Sequence, residues 1–398
     1  MEKRIVAKNV YIGAMSQKEI KNFNKFEELI SDSEVFNIND INRKNENDKV
    51  YEFNPDEYKV NLNFTLNIEL FIEKITKKIP AKEKQSRTSF IFRNVYIKLI
   101  ESLSLTKKKF NIVFDNCDLN EISLINETFD YQFKINNESK IDELTINNCV
   151  FSKLFEIYNS TIVKKCVLSK VDFNDNAVFT LTKFKTNCFF TYSTFSKSGI
   201  FSRAIFKDNN EKPTGLDLSQ SIINGQLTFF ETSLSNFKSK QIESLSDGFE
   251  TTITSGGTIP IQNKRETFRV IKNQLIEQNN LIEAEKYAKL EKQTYFYQLS
   301  KDFKRKHLSN IASLFLNWLS NNHKTDSIRA FLVTLFVAFI SHFILQFSGA
   351  YNFTFENYAK LLNPTDFSFY NGEKYDNQKV ISGNLYIAYF IAKIFIGY

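Results

Sequence analysis

Cysteine and histidine have the best-defined chemistry in this chain, since thiolates and imidazoles act as nucleophiles, bases and metal ligands. The 398 residues include four cysteines and three histidines. The cysteines are at least 17 positions apart, with no histidine among them: Cys117, Cys149, Cys166 and Cys188. Zinc and redox motifs need much closer spacing. The pattern therefore favours buried core thiols over a metal site or a disulfide framework, and free thiols fit a reducing compartment.

The three histidines, His307, His323 and His342, cluster around one apolar segment, residues 328–347. His307 and His323 are expected to face solvent or lipid headgroups. His342 lies inside the segment, where an ionisable group is costly and often functional. Its place near the far end also allows it simply to reach the membrane interface.

Catalytic signatures are absent from the sequence. It contains no phosphate-binding P-loop, no dinucleotide-binding glycine pattern, no His-Glu-x-x-His and no Gly-x-Ser-x-Gly. We therefore predict a non-enzymatic protein with no catalytic, cofactor-binding or metal-binding residues.

Large apolar residues recur at every fifth position between Phe114 and Leu234. A period of five fits neither an α-helix nor a half-buried strand. It predicts a solenoid in which each unit sends side chains into a shared axis. The ladders are Phe114, Leu119, Leu124, Phe129; Leu168, Phe173, Val178; and Phe190, Phe195, Ile200, Ile205, with Phe201 and Phe206 offering a register one residue later.

Each cysteine lies two residues before a large apolar residue, as Cys149 does before Phe151. We call these two sites the small position and the large position. Cysteine is a small, commonly buried side chain that fits beside an aromatic ladder. The same small position holds Gly199 before Phe201 and Ala204 before Phe206.

These units resemble the pentapeptide-repeat proteins: Cys-Asp-Leu-Asn-Glu from Cys117, Cys-Val-Phe-Ser-Lys from Cys149, Cys-Phe-Phe-Thr-Tyr from Cys188 and Ala-Ile-Phe-Lys-Asp from Ala204. The resemblance implies a mainly β fold, a right-handed quadrilateral β-helix of about four units per coil and some six coils, followed by an α-helical linker and transmembrane helices. The pattern departs from the family at the small positions Ile112, Glu127 and Arg203, and its period slips near Asn136, Lys183 and Asn210.

The domain boundaries follow from composition and periodicity. We predict an N-terminal α/β capping region (1–105, with helices at 18–30 and 68–79), a pentapeptide-repeat β-helix (106–245), a Ser/Thr/Gly linker (246–263), a long helix (264–300), a basic interfacial segment (301–327), transmembrane helix 1 (328–347), an extracytoplasmic loop (348–384) and the start of a second, apparently truncated transmembrane helix (385–398). The long helix has two interpretations: a cap packed on the last coil, or a coupling or dimerising helix.

The segment 328–347 is long enough to span about 30 Å of hydrocarbon. Before it, 308–319 has an apolar face with Trp318, typical of an interfacial helix. Six Lys/Arg lie between Lys301 and Arg329 against three in the following loop, which predicts a cytoplasmic repeat domain. Lys393 is expected to be a snorkelling anchor or a polar pore residue.

The arrangement resembles the membrane-anchored bacterial pentapeptide-repeat proteins with C-terminal channel-like helices, which implies a bacterial inner-membrane location. The chain lacks a Thr-Val-Gly-Tyr-Gly-like filter. The predicted function is therefore a membrane-anchored scaffold for protein–protein interaction, with a channel-like or membrane-perturbing protein as the alternative.

The distribution of charged residues limits the classes of partner that we expect. Residues 110–240 hold 14 Lys/Arg against 15 Asp/Glu, and 265–329 hold 12 against 7. A near-neutral solenoid lacks the acidic surface that mimicry of DNA needs, and the basic segment precedes apolar helices. We expect membrane lipid and an unidentified protein as partners, and no nucleic acid. A stripe of small and polar residues allows a homo-oligomer through the transmembrane helix: Thr334, Ala338, Ser341, His342 and Gln346.

Overall fold

A computed structural model describes residues 36–39, 48–53, 61–67, 87–94, 96–101, 110–242, 253, 255–323, 325–347, 355–363, 390 and 393. The helices predicted at 18–30 and 68–79, and most of the predicted second transmembrane helix, lie outside these residues. The described chain forms two units, Met1–Glu291 and Lys292–Tyr398.

The first unit is a β-solenoid of about five turns, which confirms the prediction of a mainly β solenoid followed by helices. Its strands are β1 (Phe36–Asn39), β2 (Asp48–Phe53), β3 (Asn61–Asn67), β4 (Arg87–Arg93), β5 (Tyr96–Glu101), β6 (Phe110–Asp115), β7 (Asp118–Ile125), β8 (Thr128–Phe129), β9 (Phe133–Asn136), β10 (Lys140–Phe151), β11 (Phe155–Ile157), β12 (Thr161–Phe173), β13 (Ala177–Val178), β14 (Lys183–Phe184), β15 (Cys188–Phe189), β16 (Thr194–Phe195), β17 (Ser198–Ile200), β18 (Ile205–Phe206), β19 (Leu216–Asp217), β20 (Ile222–Ile223) and β21 (Gln226–Thr228).

Strands of successive turns pair in parallel. One sheet runs β1-β2-β4-β6-β9-β11-β13-β17-β21, and the path of the other runs β18-β14-β12-β10-β7-β5-β3. Only β1 and β2 pair antiparallel among the strands described. Parallel pairing already joins β2 to β4, so the solenoid begins well before residue 106.

One turn of the solenoid takes 22 residues rather than a multiple of five. Phe129, Phe151, Phe173 and Phe195 are register partners at this spacing. From Phe151 the buried large positions fall at Ile157, Ile162, Leu168 and Phe173, in steps that alternate between six and five residues. The five-residue ladder is therefore a local approximation of a turn with four inward pairs.

The one-residue ambiguity in the third ladder is resolved by burial. Phe201 and Phe206 point into the core, whereas Ile200 is half-buried and Ile205 is exposed. Likewise Phe179 is buried in place of Val178. The register left open at 200–206 is therefore the later one, and the predicted inward position Val178 was wrong by one residue, because the six-residue steps move the inward side chain one position later.

The slip predicted near Asn210 is confirmed as an insertion. Cys188 pairs with Leu216, and Phe195 pairs with Ile223, so this turn has 28 residues. The extra residues form a small hairpin in which Lys207 bridges Pro213 antiparallel.

Two corners of each turn use left-handed backbone, in which asparagine is the most tolerant residue apart from glycine. Positive φ recurs at Asn94, Asn116, Glu138, Asn159, Leu181 and Arg203, and at Asn126, Asn148, Lys170 and Tyr192. The asparagines also form links between turns, since Asn148 Nδ2 donates to Asn126 Oδ1 at 2.8 Å. Arg203 is thus a corner residue and not a small-position residue.

The core is an aromatic stack along the axis. Phe129 stacks on Phe151 with ring centroids 4.6 Å apart, and Phe151 on Phe173 at 5.8 Å. Phe173 stacks in turn on Phe195 at 5.2 Å. Such pairs add specific ring contacts to the burial of apolar surface.

Small positions also link the turns by hydrogen bonds, a role that the sequence pattern did not predict. Ser193 Oγ donates to the carbonyl of Leu168 at 2.9 Å, and Thr182 Oγ1 to that of Ile157 at 2.5 Å. Each hydroxyl reaches a carbonyl 25 residues earlier, in the preceding turn. A small polar side chain therefore fills this position without leaving a buried donor unpaired.

Among the described residues, the helices after the solenoid with assigned bounds are α1 (Ile261–Glu277), α2 (Leu281–Lys301), α3 (Leu308–Asn321), α4 (Ser327–Phe347) and α5 (Phe355–Leu362), with a 3-10 turn at Arg305–His307. The segment 264–300, predicted as one helix, is thus two. The break falls at Gln278–Asn280, where Asn279 has φ of 56° and ends α1 in left-handed backbone.

Helix α1 caps the last turn. Phe268, Ile271 and Leu275 recur at helical spacing and are buried. Polar side chains between them accept from backbone groups that have no further strand to pair with. The Leu218 N–H donates to Thr267 Oγ1 and the Leu227 N–H to Gln274 Oε1, both at 2.9 Å. The capping interpretation of this helix is the one that the geometry supports.

The predicted linker also contacts the solenoid. Within its described residues, Ile259 is buried and Asn187 Nδ2 donates to the Gly257 carbonyl at 2.9 Å. Gly256 has φ of +72°, and a β-carbon there would lie 3.4 Å from Val167. Outward-facing Val167 and Phe189 are buried. Apolar side chains on the outer face of the strands therefore hold a segment whose composition predicts a loose connection.

The burial of Lys264 in the α1 cap is expected to make the free energy of unfolding depend on pH in the alkaline range. It is buried beside the Phe237 and Phe268 rings, 4.9 and 5.9 Å from its Nζ, and burial lowers its pKa from 10.5 to about 8. The unfolded chain therefore binds more protons between these values, so stability rises with pH from about 8 to 10.5. We expect a gain of about 3 kcal/mol.

The measurement is the denaturation midpoint of the full chain in detergent at pH 7.5 to 10.5. The matched control is Lys264→Met, because methionine fills the same space without titrating. A wild-type slope equal to that of Lys264→Met would contradict the expectation.

Candidate membrane-contact site

The four cysteines, which could act as nucleophiles or metal ligands, are buried in the solenoid. Cys117, Cys149, Cys166 and Cys188 are at most 1% exposed, and all are free thiols. Cys166 and Cys188 are register partners with sulfurs 2.7 Å apart. Burial raises the pKa of Cys188 well above its usual value and that of Cys149 to about 11. Protonated, buried thiols are poor nucleophiles and poor metal ligands.

Metal ligands are not brought together elsewhere in the described part of the chain. No group of three or more His, Cys, Asp or Glu side chains in those residues is placed to hold an ion. The three histidines belong to the helical unit, where His323 and His342 are buried and His307 is half-buried. The prediction that His323 faces solvent or headgroups is therefore wrong for this fold.

The helical unit instead presents apolar side chains outward. Helix α4 is the one helix among the described residues that is long and apolar enough to cross a membrane, by length and composition. Phe331 and Phe336 are each 63% exposed and Ile328 is 75% exposed. Most phenylalanine and isoleucine side chains of the solenoid are buried, with exceptions such as Ile222 and Phe230, whereas α4 exposes a run of them along its length.

Helix α3 is amphipathic and continues the apolar surface. Its exposed residues include Leu308, Phe315, Leu316, Trp318 and Leu319. A basic run precedes it, in which Lys301, Lys304, Arg305 and Lys306 are exposed. Exposed positive charge beside exposed aromatic and aliphatic side chains is the composition of a helix that binds an anionic lipid surface.

Arg329 fixes the corner between α3 and α4. Its guanidinium lies 4.7 Å from the Trp318 ring centroid, a cation–π contact, and its Nε donates to the Leu319 carbonyl at 3.1 Å. Asp326 Oδ1 accepts from the Arg329 N–H at 2.8 Å at the start of α4. Arg329 thus donates to a backbone carbonyl near the C-terminal end of α3 and places its positive charge near the N-terminal end of α4.

The face of α4 that contains Ala338 and His342 packs against α5. Ala338 and His342 are buried, and the Tyr358 hydroxyl donates to the Leu335 carbonyl at 2.9 Å. The His342 and Tyr358 rings meet edge to face at 5.9 Å. Ala338 and His342 belong to the stripe predicted for helix contacts, whereas the side chains on the opposite side of α4 are exposed or half-buried: Val333, Phe336, Ile340, Phe343 and Ile344. Tyr358 carried no sequence signal, because a tyrosine in a polar loop predicts no partner.

Comparisons with protein families, with curated proteins and with solved structures found no match.

Proposed function

We propose that this protein is a non-enzymatic scaffold, anchored in a bacterial inner membrane, that presents a cytoplasmic β-helix to a protein partner. The observation that carries the proposal is the contrast between the two units. The solenoid encloses its ladder of phenylalanine rings, whereas the helical unit exposes phenylalanine and isoleucine along α4. Lipid is the environment in which such a surface is stable.

We also propose that the solenoid is a right-handed quadrilateral β-helix of the pentapeptide-repeat type. Four inward pairs in each 22-residue turn support four sides. Two sides then have five residues and two have six. Many small positions hold Cys, Ser, Thr, Ala or Gly, as the repeat pattern requires, whereas others hold larger residues such as Phe133, Leu144 and Phe155. The six-residue steps account for the slipping period.

A channel-like protein is the second candidate. The packing of α5 beside α4 favours it, because a short helix between two apolar segments is unusual for a simple anchor. The fixed positive charge of Lys393 beside α5 argues against the passage of cations at that point.

The anchor is tested by alkaline carbonate extraction of membranes that contain the full chain. The wild type is expected to stay in the pellet. Phe336→Lys with Ile340→Lys should release it, because each lysine at the centre of a span costs about 3 kcal/mol. Phe336→Leu is the matched control, and release of the wild type would refute the proposal.

The same membranes report the side on which the solenoid lies. Protease added to intact spheroplasts should leave residues 1–300 uncut, whereas protease added to inverted vesicles should degrade them. The opposite pattern would place the β-helix outside the cytoplasm.

A further inference from the structure

Helix α5 lies beside the interior of α4 and not beyond its end. A carbonyl in an α-helix points toward the N–H four residues later, so the Leu335 carbonyl oxygen lies level with about residue 337. Tyr358 donates to that carbonyl and its ring contacts His342. At 1.5 Å per residue, these contacts lie roughly 8–15 Å before α4 ends at Phe347. The chain has therefore turned back along α4.

The C-terminal end of α5 receives a positive charge. Lys393 Nζ donates to the carbonyl of Asn363, the residue after α5, and Lys393 is 4% exposed. The last carbonyls of a helix lack partners in the helix and carry partial negative charge. An ammonium group at this point meets both needs. It is a different role from the snorkelling anchor or pore residue expected from the sequence.

In the hydrocarbon core of a bilayer, a helix as short as α5 needs hydrogen-bond partners for its backbone polar groups. Backbone that enters a bilayer without crossing it persists only where protein or enclosed water satisfies its polar groups. Here the face of α4 predicted to bind a second helix supplies the contact, and Lys393 supplies the donor.

We propose that α5 is a re-entrant helix that enters the bilayer beside α4 and is held there by Tyr358 and Lys393. The proposal rests on the membrane anchor proposed above. It replaces the expectation that 348–384 is wholly an extracytoplasmic loop, and it assigns the polar stripe of α4 to this chain rather than to a second copy. Tyr358 and Lys393 are positioning residues in this arrangement.

Cysteine accessibility tests the depth of α5. The native cysteines are at most 1% exposed in the solenoid, so an introduced thiol is the reactive one. Ala359 is exposed on α5, so burial in protein does not protect it. In sealed vesicles of either orientation, the Ala359→Cys variant should react with a membrane-impermeant maleimide about ten-fold more slowly than Thr325→Cys reacts in inverted vesicles, where position 325 faces the reagent. Thr325 is exposed just before α4, and SDS should restore full labelling of both.

The two positioning residues are tested in the same assay. Tyr358→Phe or Lys393→Met, added to Ala359→Cys, should raise labelling several-fold because α5 loses a polar contact. Lys393→Arg retains the charge and is the matched control. Rapid labelling of Ala359→Cys alone, or unchanged labelling in both double variants, would overturn the proposal.

Carbonate extraction separates this result from failure of the anchor. A protein that stays in the pellet while Ala359→Cys labels rapidly is anchored without a re-entrant helix. A protein that carbonate releases has neither.

Discussion

Phe173→Ala is expected to destabilise the solenoid by about 3–5 kcal/mol, because it removes a fully enclosed ring and leaves a cavity. Phe173 is 1% exposed and stacks on Phe151 above and Phe195 below, while its sides meet Phe155 and Phe179. The substitution therefore interrupts the aromatic stack near its middle. The measurement is the thermal midpoint of the full chain in detergent, followed by far-UV circular dichroism, with an expected fall of roughly 10 °C.

The control lies one residue away. Asp172 points outward and is exposed, so Asp172→Ala should change stability by no more than about 0.5 kcal/mol. Similar midpoints for the two variants would show that the inward register is assigned to the wrong residue.

Gly225→Ala is expected to cost about 3 kcal/mol, at the upper end for overpacking, because the new methyl group has no space. A β-carbon at Gly225 would lie 1.6 Å from the Lys197 carbonyl oxygen. The backbone cannot easily move away, since the Gln226 N–H donates to that same oxygen at 2.9 Å and the Gly225 N–H donates to Phe195 O at 3.1 Å. Steric conflict with main chain is harder to relieve than conflict with a side chain.

Asn224→Ala is the matched control for this glycine. Asn224 is exposed, and its backbone N–H donates to Phe195 O at 3.0 Å, a hydrogen bond that alanine keeps. It should melt within a few degrees of the wild type. If Gly225→Ala did the same, the close approach of the two turns would be disproved.

Local spacing was enough to predict the solenoid and several of its small positions, although it also assigned one to Arg203, which the fold places at a corner. Cys149 before Phe151 and Ala204 before Phe206 are buried pairs because neighbouring turns leave room for one large and one small side chain. Local spacing was not enough to decide which of Ile200 and Phe201 points into the core. Both are apolar, and the choice depends on how many residues each corner consumes, which pairing with the neighbouring turns decides.

The two segments that follow the solenoid, 246–263 and α1, show different limits of sequence-based prediction. The apolar spacing of Phe268, Ile271 and Leu275 predicted a helix, but only the fold shows that Thr267 and Gln274 accept from the open strand edge. The glycines of 246–263 predicted a flexible linker, yet Gly256 and Gly257 permit close approach to the outer face. Polar residues and glycine acquire their roles from partners that are distant along the chain.

By itself the sequence determined a repeat solenoid, its buried thiols, the apolar length of 328–347 and the basic run before it. These are properties of composition and local period, which act before any long-range contact forms. Tertiary structure decided the 22-residue turn, the capping role of α1, and the return of α5 to the side of α4. Each depends on pairing between residues far apart in sequence, such as Tyr358 with Leu335 and Lys393 with Asn363, whose geometry only the folded chain defines.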